Sequence, residues 1–164
     1  MDYAVVKPSA LDPDTAKQLD ELGCLSGVAQ QLSGPITTSE KVAAAGQNQT
    51  LLLCRDGALQ VRGYIKYGPK DLYLYRKNGS ILTCSPPCLL DFYVHEDVQR
   101  GGLGLRLFQA MLEDLGVAPH LIAYDRPSPK LIGFMRKHFG LTKPDLQPNK
   151  FCIFEGFPLD ETRH

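Results

Sequence analysis

No run in this 164-residue sequence approaches the roughly 20 apolar residues of a membrane-crossing helix, so a helical span is excluded. The opening Met1-Asp2-Tyr3 lacks the charged and apolar regions of a secretory signal, and a cytosolic protein is expected. Neither sign of charge prevails: Lys plus Arg and Asp plus Glu number 18 each. That balance supplies no basic field for nucleic acid as a main partner. Linkers, repeats and low-complexity segments are absent, so residues 1–164 read as one domain, long enough to bury a proper core. Cys24, Cys54, Cys84, Cys88 and Cys152 are an odd, scattered set, best read as reduced thiols. Cys84 and Cys88 have no second Cys/His pair at ligand spacing, and no metal is expected. His95, beside Glu96 at a strand end, reads as structural. Hydrophobic content of 43% and charge of 22% are ordinary for a globular chain.

Against these absences stands one organised stretch. Residues 89–94 are apolar and aromatic enough for a buried strand, and Leu103, Leu107, Met111 and Leu115 recur at helical spacing. Between them lies Gln99-Arg100-Gly101-Gly102-Leu103-Gly104. Glycine lets backbone approach a ligand, and the first turn of a helix presents unpaired N–H groups at the positive end of its dipole. An anion, most simply a phosphate, fits there. No Lys-Ser or Lys-Thr follows, which excludes a P-loop, and no third glycine completes a dinucleotide fingerprint. What remains is Gln/Arg-x-x-Gly-x-Gly/Ala after a strand. It resembles the pyrophosphate loop of the GCN5-related N-acetyltransferases; an ordinary strand-to-helix turn is the alternative.

Around this stretch the chain reads as follows. Residues 3–6 form a short strand. Asp12-Pro13 caps a helix over residues 13–31, weakened by Gly23 and Gly27 and stopped at Ser33-Gly34-Pro35. Thr37-Thr38-Ser39-Glu40 is a capping box for a second helix through residue 45. Residues 51–54, 59–67 and 72–75 read as consecutive antiparallel strands. Residues 120–124 form a strand with Asp125 at its C-terminal edge. Ser128 and Pro129 open a last helix whose inner face is Leu131, Ile132, Phe134, Met135 and Phe139, ended by Gly140. Residues 151–154 close the sheet.

Three further segments sharpen the resemblance: Ala29-Gln30-Gln31-Leu32-Ser33-Gly34-Pro35-Ile36-Thr37, Pro87-Cys88-Leu89-Leu90-Asp91-Phe92-Tyr93-Val94-His95-Glu96, and Asp125-Arg126-Pro127-Ser128-Pro129-Lys130. With Phe151-Cys152-Ile153-Phe154-Glu155-Gly156-Phe157 they are similar to the α-tubulin N-acetyltransferases, over nearly the whole chain. The resemblance implies an α/β fold of the GCN5-related N-acetyltransferase type, a central mixed, mostly antiparallel sheet flanked by helices. It implies acetyl-CoA as cosubstrate and a lysine of α-tubulin in microtubules as acceptor. A monomer of the cytoplasm and cytoskeleton follows, cilia or flagella included, with no nucleic acid or membrane partner.

The same resemblance assigns roles. Gln99, Arg100, Gly101, Gly102, Leu103, Gly104 and Leu105 would hold the pyrophosphate, and Phe92, Tyr93 and Val94 would follow the pantetheine arm. Ser128, Lys130, Phe134 and Lys137 would meet the 3′-phosphate and adenosine end. Lys66 and Lys70 would form part of a basic substrate rim, and Gln30 would be a substrate-site residue. Asp125 and Cys88 are the candidates for deprotonating or positioning the lysine, whose ordinary pKa is about 10.4. Asp125 would serve equally by binding the ammonium. Direct amine attack ranks above an acetyl-cysteine at Cys88, because no histidine is paired with that thiol.

Departures from the family pattern are Asp71 after Lys70, where a second basic residue is usual, short connections near residues 55–58 and 79, and an end soon after the shared region. Acetylation of another protein lysine or of a small amine therefore stays open. So does a CoA- or microtubule-binding module with a decayed site, although Gln30, Cys88 and Asp125 together argue against decay.

Overall fold

The computed structural model describes residues 3–159, the side chain of Arg100 excepted. Within it, residues 3–67 with 90–114 form one compact unit and residues 68–89 with 115–159 a second.

The first unit holds strands β1 (Ala4–Val6), β2 (Thr50–Arg55), β3 (Val61–Pro69) and most of β6 (Pro87–Val94), in the order β1-β2-β3-β6. Both β1/β2 and β2/β3 are antiparallel. Helices α1 (Pro13–Ala29), α2 (Ser39–Ala45) and α3 (Leu103–Leu115) belong to it. Leu19 and Leu22 of α1 close on Leu51, Leu53, Val61 and Tyr64 of the sheet. Burial of each such side chain contributes on the order of 2 kcal/mol.

Helix α1 starts as expected: Asp12 accepts a hydrogen bond from the Thr15 N–H at 2.7 Å, and Pro13 follows. Gly23 and Gly27, which in sequence only weaken the helix, have a reason in space. A Cβ on Gly23 would stand 2.1 Å from the Thr37 carbonyl oxygen, and one on Gly27 3.0 Å from that of Gly34. The segment after the helix lies backbone-on-backbone against it, so the helix ends at Ala29 and Gln31 turns into the left-handed region at φ 60°. Helix α2 corrects the capping box by one residue. Thr38 is the cap, accepting from the Lys41 N–H at 3.1 Å, because the Thr37 hydroxyl is committed elsewhere.

The second unit takes the start of β6 and adds β7 (Ala123–Asp125), β9 (Phe151–Phe154) and β8 (Pro144–Leu146), in the order β6-β7-β9-β8. The β6/β7 pair is parallel; β7/β9 and β8/β9 are antiparallel. Helix α4 (Pro129–Phe139) follows β7.

Three expectations need correction here. Residues 72–75 (β4, Leu72–Tyr75) do not continue a meander: they pair with β5 (Ile81–Cys84) in a separate hairpin. That hairpin is held by the buried Gln147, whose side-chain amide stands in for a neighbouring strand. Its Oε1 accepts from the Tyr75 N–H at 2.7 Å and its Nε2 donates to the Tyr75 carbonyl at 3.3 Å. The strand expected over residues 120–124 is shorter and later, because Pro119–Leu121 forms a 3₁₀ turn. Finally, β9 is not the closing strand; β8 lies outside it.

Candidate active site

In the first unit, β6 does not pass straight into the glycine turn. A 3₁₀ turn, Glu96–Gly101, intervenes, capped by His95, whose Nδ1 accepts from the Asp97 N–H at 3.2 Å. Gly102 then takes φ 78°, a conformation that side chains resist, with open space where a Cβ would stand. Glycine is needed there for the backbone angle. The chain enters α3 at Leu103, which is buried, with Gly104 and Leu105 half-buried. The first-turn N–H groups of α3 have no partner inside the helix, the geometry for which the sequence analysis expects an anion. The Gln99 side chain points back along the chain, donating from Nε2 to the Val94 carbonyl at 2.8 Å. Val94 is buried, Phe92 and Tyr93 are half-buried, and Phe92 packs on Phe108 of α3 with ring centroids 6.1 Å apart. Gly63 lets β3 approach here: a Cβ would lie 3.0 Å from the Tyr93 carbonyl oxygen.

The same unit buries a carboxylate that sequence reading overlooked. Asp91, only 5% exposed on β6, accepts from five donors. The Tyr64 hydroxyl lies 2.6 Å from Oδ2 and the Thr37 hydroxyl 2.7 Å; the Phe92 N–H lies 3.0 Å from Oδ1, Gln30 Nε2 3.3 Å and the Ser26 hydroxyl 3.4 Å. Burial, and then the charge of Asp91, push the Tyr64 hydroxyl far above its ordinary value, so it stays protonated and donates. Gln30, at the C-cap of α1, is thereby fixed at its amide nitrogen, which also donates to Ser26 Oγ at 2.9 Å. The available signal was a single acid inside the apolar run Leu89-Leu90-Asp91-Phe92-Tyr93, because an unpaired charge does not survive burial.

Lys66 is equally interior, 4% exposed, and its Nζ donates to the Ile36 carbonyl at 3.3 Å. Its ammonium is therefore not displayed on an exposed rim.

In the second unit, the parallel register sets Cys88 opposite Ala123 and Leu89 opposite Tyr124, with Asp125 the next residue along β7. Cys88 is fully buried, its thiol directed to the Pro86 carbonyl at 3.3 Å. Burial first, and then the charge of Asp125, push this thiol up to about 12, against the opposing backbone N–H of Lys70. A neutral thiol at physiological pH is a poor nucleophile, which favours direct attack over an acetyl-cysteine.

Asp125 has 22% of its side chain exposed and faces Arg126 Nε at 3.6 Å. Arg126 itself takes φ 43°, uncommon for a non-glycine residue, and its N–H is tied to the Lys150 carbonyl at 3.0 Å. Helix α4 opens as the sequence indicates: Ser128 caps it, accepting from the Leu131 N–H at 3.2 Å, and Gly140 ends it at φ 65°. Lys130 and Lys137 are exposed, and Phe134 packs beside His138 with centroids 4.6 Å apart. Of the expected inner face, only Met135 is fully buried. Lys70 is exposed, its N–H tied to the Pro86 carbonyl at 3.4 Å, while Asp71, the departure from the family pattern, hydrogen-bonds the Ser85 hydroxyl.

The sequence profile of the acetyltransferases described as GNAT acetyltransferase, Mec-17, matches residues 3–164. The chain belongs to this family. Among relatives of the Mec-17 family, the α-tubulin N-acetyltransferase of Aedes aegypti is 44% identical over 88% of the chain. The chain spans about half of that relative's length, 55%. The α-tubulin N-acetyltransferase of Phytophthora infestans is 42% identical over 88% of the chain and 89% of its own length. Among solved structures, a GNAT family acetyltransferase from Brucella melitensis in complex with acetyl-CoA superposes with a TM-score of 0.61. It is 18% identical and is covered over 99% of this chain and 94% of its own. At that identity the likeness establishes the fold, which is the one that the resemblance to the α-tubulin N-acetyltransferases implied.

Proposed function

We propose that the protein transfers the acetyl group of acetyl-CoA to the side-chain amine of a lysine in α-tubulin, acting on microtubules in the cytoplasm as a single-domain monomer. The observation that carries the substrate is the 42% identity with the Phytophthora α-tubulin N-acetyltransferase, 89% of which the chain covers. The cosubstrate is supported by the acetyl-CoA held in a protein of the same fold.

The pyrophosphate is assigned to the backbone N–H groups from Gln99 to Leu105, with Arg100 adding charge. The backbone of Phe92, Tyr93 and Val94 serves the pantetheine arm, and Ser128, Lys130, Phe134 and Lys137 the 3′-phosphate and adenosine end. The lysine ammonium loses a proton and its nitrogen attacks the thioester carbonyl. The C–N bond forms and the C–S bond breaks, and the CoA thiolate leaves and takes up a proton. Asp125 draws in the ammonium and assists the proton's departure. Cys88, protonated, lines the approach and forms no covalent bond to acetyl. Lys70 contributes charge at the substrate side.

A second reading, acetylation of another protein lysine or of a small amine, is favoured by Asp71, which replaces a basic residue and is engaged with Ser85. Labelled acetyl-CoA offered with polymerised tubulin, histones and polyamines separates the two. Label confined to α-tubulin supports the proposal. Label on histones or polyamines overturns the substrate and keeps the cofactor, and no label anywhere overturns the enzyme reading.

A further inference from the structure

The carboxylate of Asp91 can only accept hydrogen bonds, and every polar contact that it makes is with a donor. The Gln30 side chain is different, since an amide offers a donor end and an acceptor end of nearly the same shape. In solution the two ends interchange by a half-turn about the last side-chain bond. Next to Asp91 they are not equivalent. The NH₂ end gives hydrogen bonds to Asp91 Oδ1 and Ser26 Oγ, whereas a half-turn would set the carbonyl oxygen against the carboxylate, two acceptors facing each other. Ser26 does not relieve this, because its own proton goes to Asp91 Oδ1. Thr37 and Tyr64 saturate the other carboxylate oxygen. Gln30 is half-buried, and its Oε1 makes no hydrogen bond to another described residue.

We infer that Asp91 is a positioning residue that fixes the polarity of the Gln30 amide, so that Gln30 meets the substrate as a hydrogen-bond acceptor, taking an N–H of the incoming lysine or of its peptide. Gln30 is thereby assigned one chemistry where sequence left it two. A substrate group that needed a donor at this position would be refused, since the donor end is already used. The cost of reversal falls on a buried charge, so the preference persists whether or not substrate is present.

This inference rests on the lysine acetyltransferase reading for its activity test, and a separate measurement on the free protein decides it without activity. In ¹⁵N-labelled protein the Gln30 side-chain NH₂ signals, assigned by their loss in Gln30→Met, should exchange with solvent at least about tenfold more slowly than those of exposed glutamines. In Asp91→Asn that protection should vanish. Fast exchange in the unaltered protein would overturn the inference.

With polymerised tubulin as acceptor, Asp91→Asn should lower kcat about tenfold with little change in KM, and Gln30→Met should do the same. The double variant should be no worse than either single one, because both remove one acceptor. Losses that multiply would show that Asp91 acts through the fold and not through Gln30. Should Asp91→Asn fail to fold, Ser26→Ala, which removes one of the two acceptors of the Gln30 amide, is expected to speed its exchange; unchanged exchange would count against the inference. If the unaltered protein acetylates no tubulin, the substrate reading falls, while the exchange measurement still decides the part assigned to Asp91.

Discussion

The two carboxylates of interest, Asp91 in the first unit and Asp125 in the second, sit in opposite surroundings. Asp91 is 5% exposed and accepts five hydrogen bonds from α1, from the segment after it, from β3 and from its own strand. Asp125 keeps 22% of its side chain in contact with solvent and meets Arg126 at 3.6 Å, beyond hydrogen-bond range. A carboxylate saturated by donors is suited to holding other groups still. One that keeps part of its side chain in solvent is open to an incoming ammonium. Position in the fold agrees: Asp125 ends a parallel-paired strand, the usual edge for site groups in an α/β sheet, whereas Asp91 lies in mid-strand.

The comparison breaks most sharply at Asp125. Asp125→Asn keeps the shape and removes the charge; acetyl transfer should fall by roughly 10²–10³, the range expected for losing an acid–base or electrostatic group. Acetyl-CoA affinity, measured by calorimetry, should change less than about threefold, because no role in holding the cofactor is assigned to Asp125. Retained turnover would remove Asp125 from the mechanism.

Next in size is a substitution that touches neither carboxylate. Gly23→Ala places a methyl where the Thr37 carbonyl oxygen stands, 2.1 Å away, and a backbone neighbour cannot swing aside. About 2 kcal/mol of stability should be lost, seen in chemical unfolding, and Thr37 should be displaced from Asp91. A neutral result would mean that the helix and the following segment are not held as described.

These cases show what the sequence made legible. The Asp12, Ser128 and Gly140 boundaries are local chemistry, written in adjacent residues, and they are where the sequence places them. The Gln147 amide that anchors the β4/β5 hairpin reaches a residue 72 positions away, which no local pattern encodes; the hairpin itself and the β8/β9 pair join residues close in sequence, and what the local pattern left open is which sheet each strand enters. Gly23 and Gly27 are instructive because the local rule, that glycine weakens a helix, holds for the isolated segment and is overridden by the backbone of Gly34 and Thr37 that returns against the helix. Among the candidate residues, the placement of Asp125 at a strand end, of the Ser128 cap and of the glycine turn before α3 was legible for the same local reason. Asp91 was overlooked; its one local signal is an acid in an apolar run, and its partners come from segments that folding brings together. Lys66 is expected at a basic rim from the family resemblance; its placement at the Ile36 carbonyl is a tertiary fact.

A smaller effect separates Cys88 from Asp125. With its thiol pushed up to about 12, Cys88 holds its proton throughout the range in which an acetyltransferase is assayed; at pH 8 only about one molecule in 10⁴ carries the thiolate. The rate profile of acetyl transfer between pH 6 and 9 should therefore keep its shape in Cys88→Ser, its midpoint moving by less than about half a unit. A limb that disappears with Cys88 would make it the group that titrates. Iodoacetamide should modify the exposed Cys24 well before Cys88.

The smallest expected effect lies at a third carboxylate, intermediate between the other two. Asp114 accepts from the Tyr67 hydroxyl at 2.6 Å and from Lys7 at 3.2 Å, with about a third of its side chain exposed. The Tyr67 hydrogen bond, aided by Lys7, holds the Asp114 carboxyl below its ordinary value, while burial and then the same hydrogen bond hold the Tyr67 hydroxyl above its own. The folded state therefore binds fewer protons than the unfolded chain near pH 4, so this contribution is present above the ordinary carboxylate value of about 3.9 and is lost as pH falls below it. At the other end, the raised Tyr67 contributes fully below about pH 10 and fades as pH rises past it. Asp114→Asn should flatten the acid limb of a melting-temperature profile. It should flatten the alkaline limb less, because burial, its first cause, remains. At neutral pH the cost should be about 1 kcal/mol or less, since an exposed pair is screened by solvent. An unchanged acid limb would mean that the Tyr67 hydrogen bond does not persist in solution, and the contrast between holding and reacting carboxylates would then rest on Asp91 and Asp125 alone.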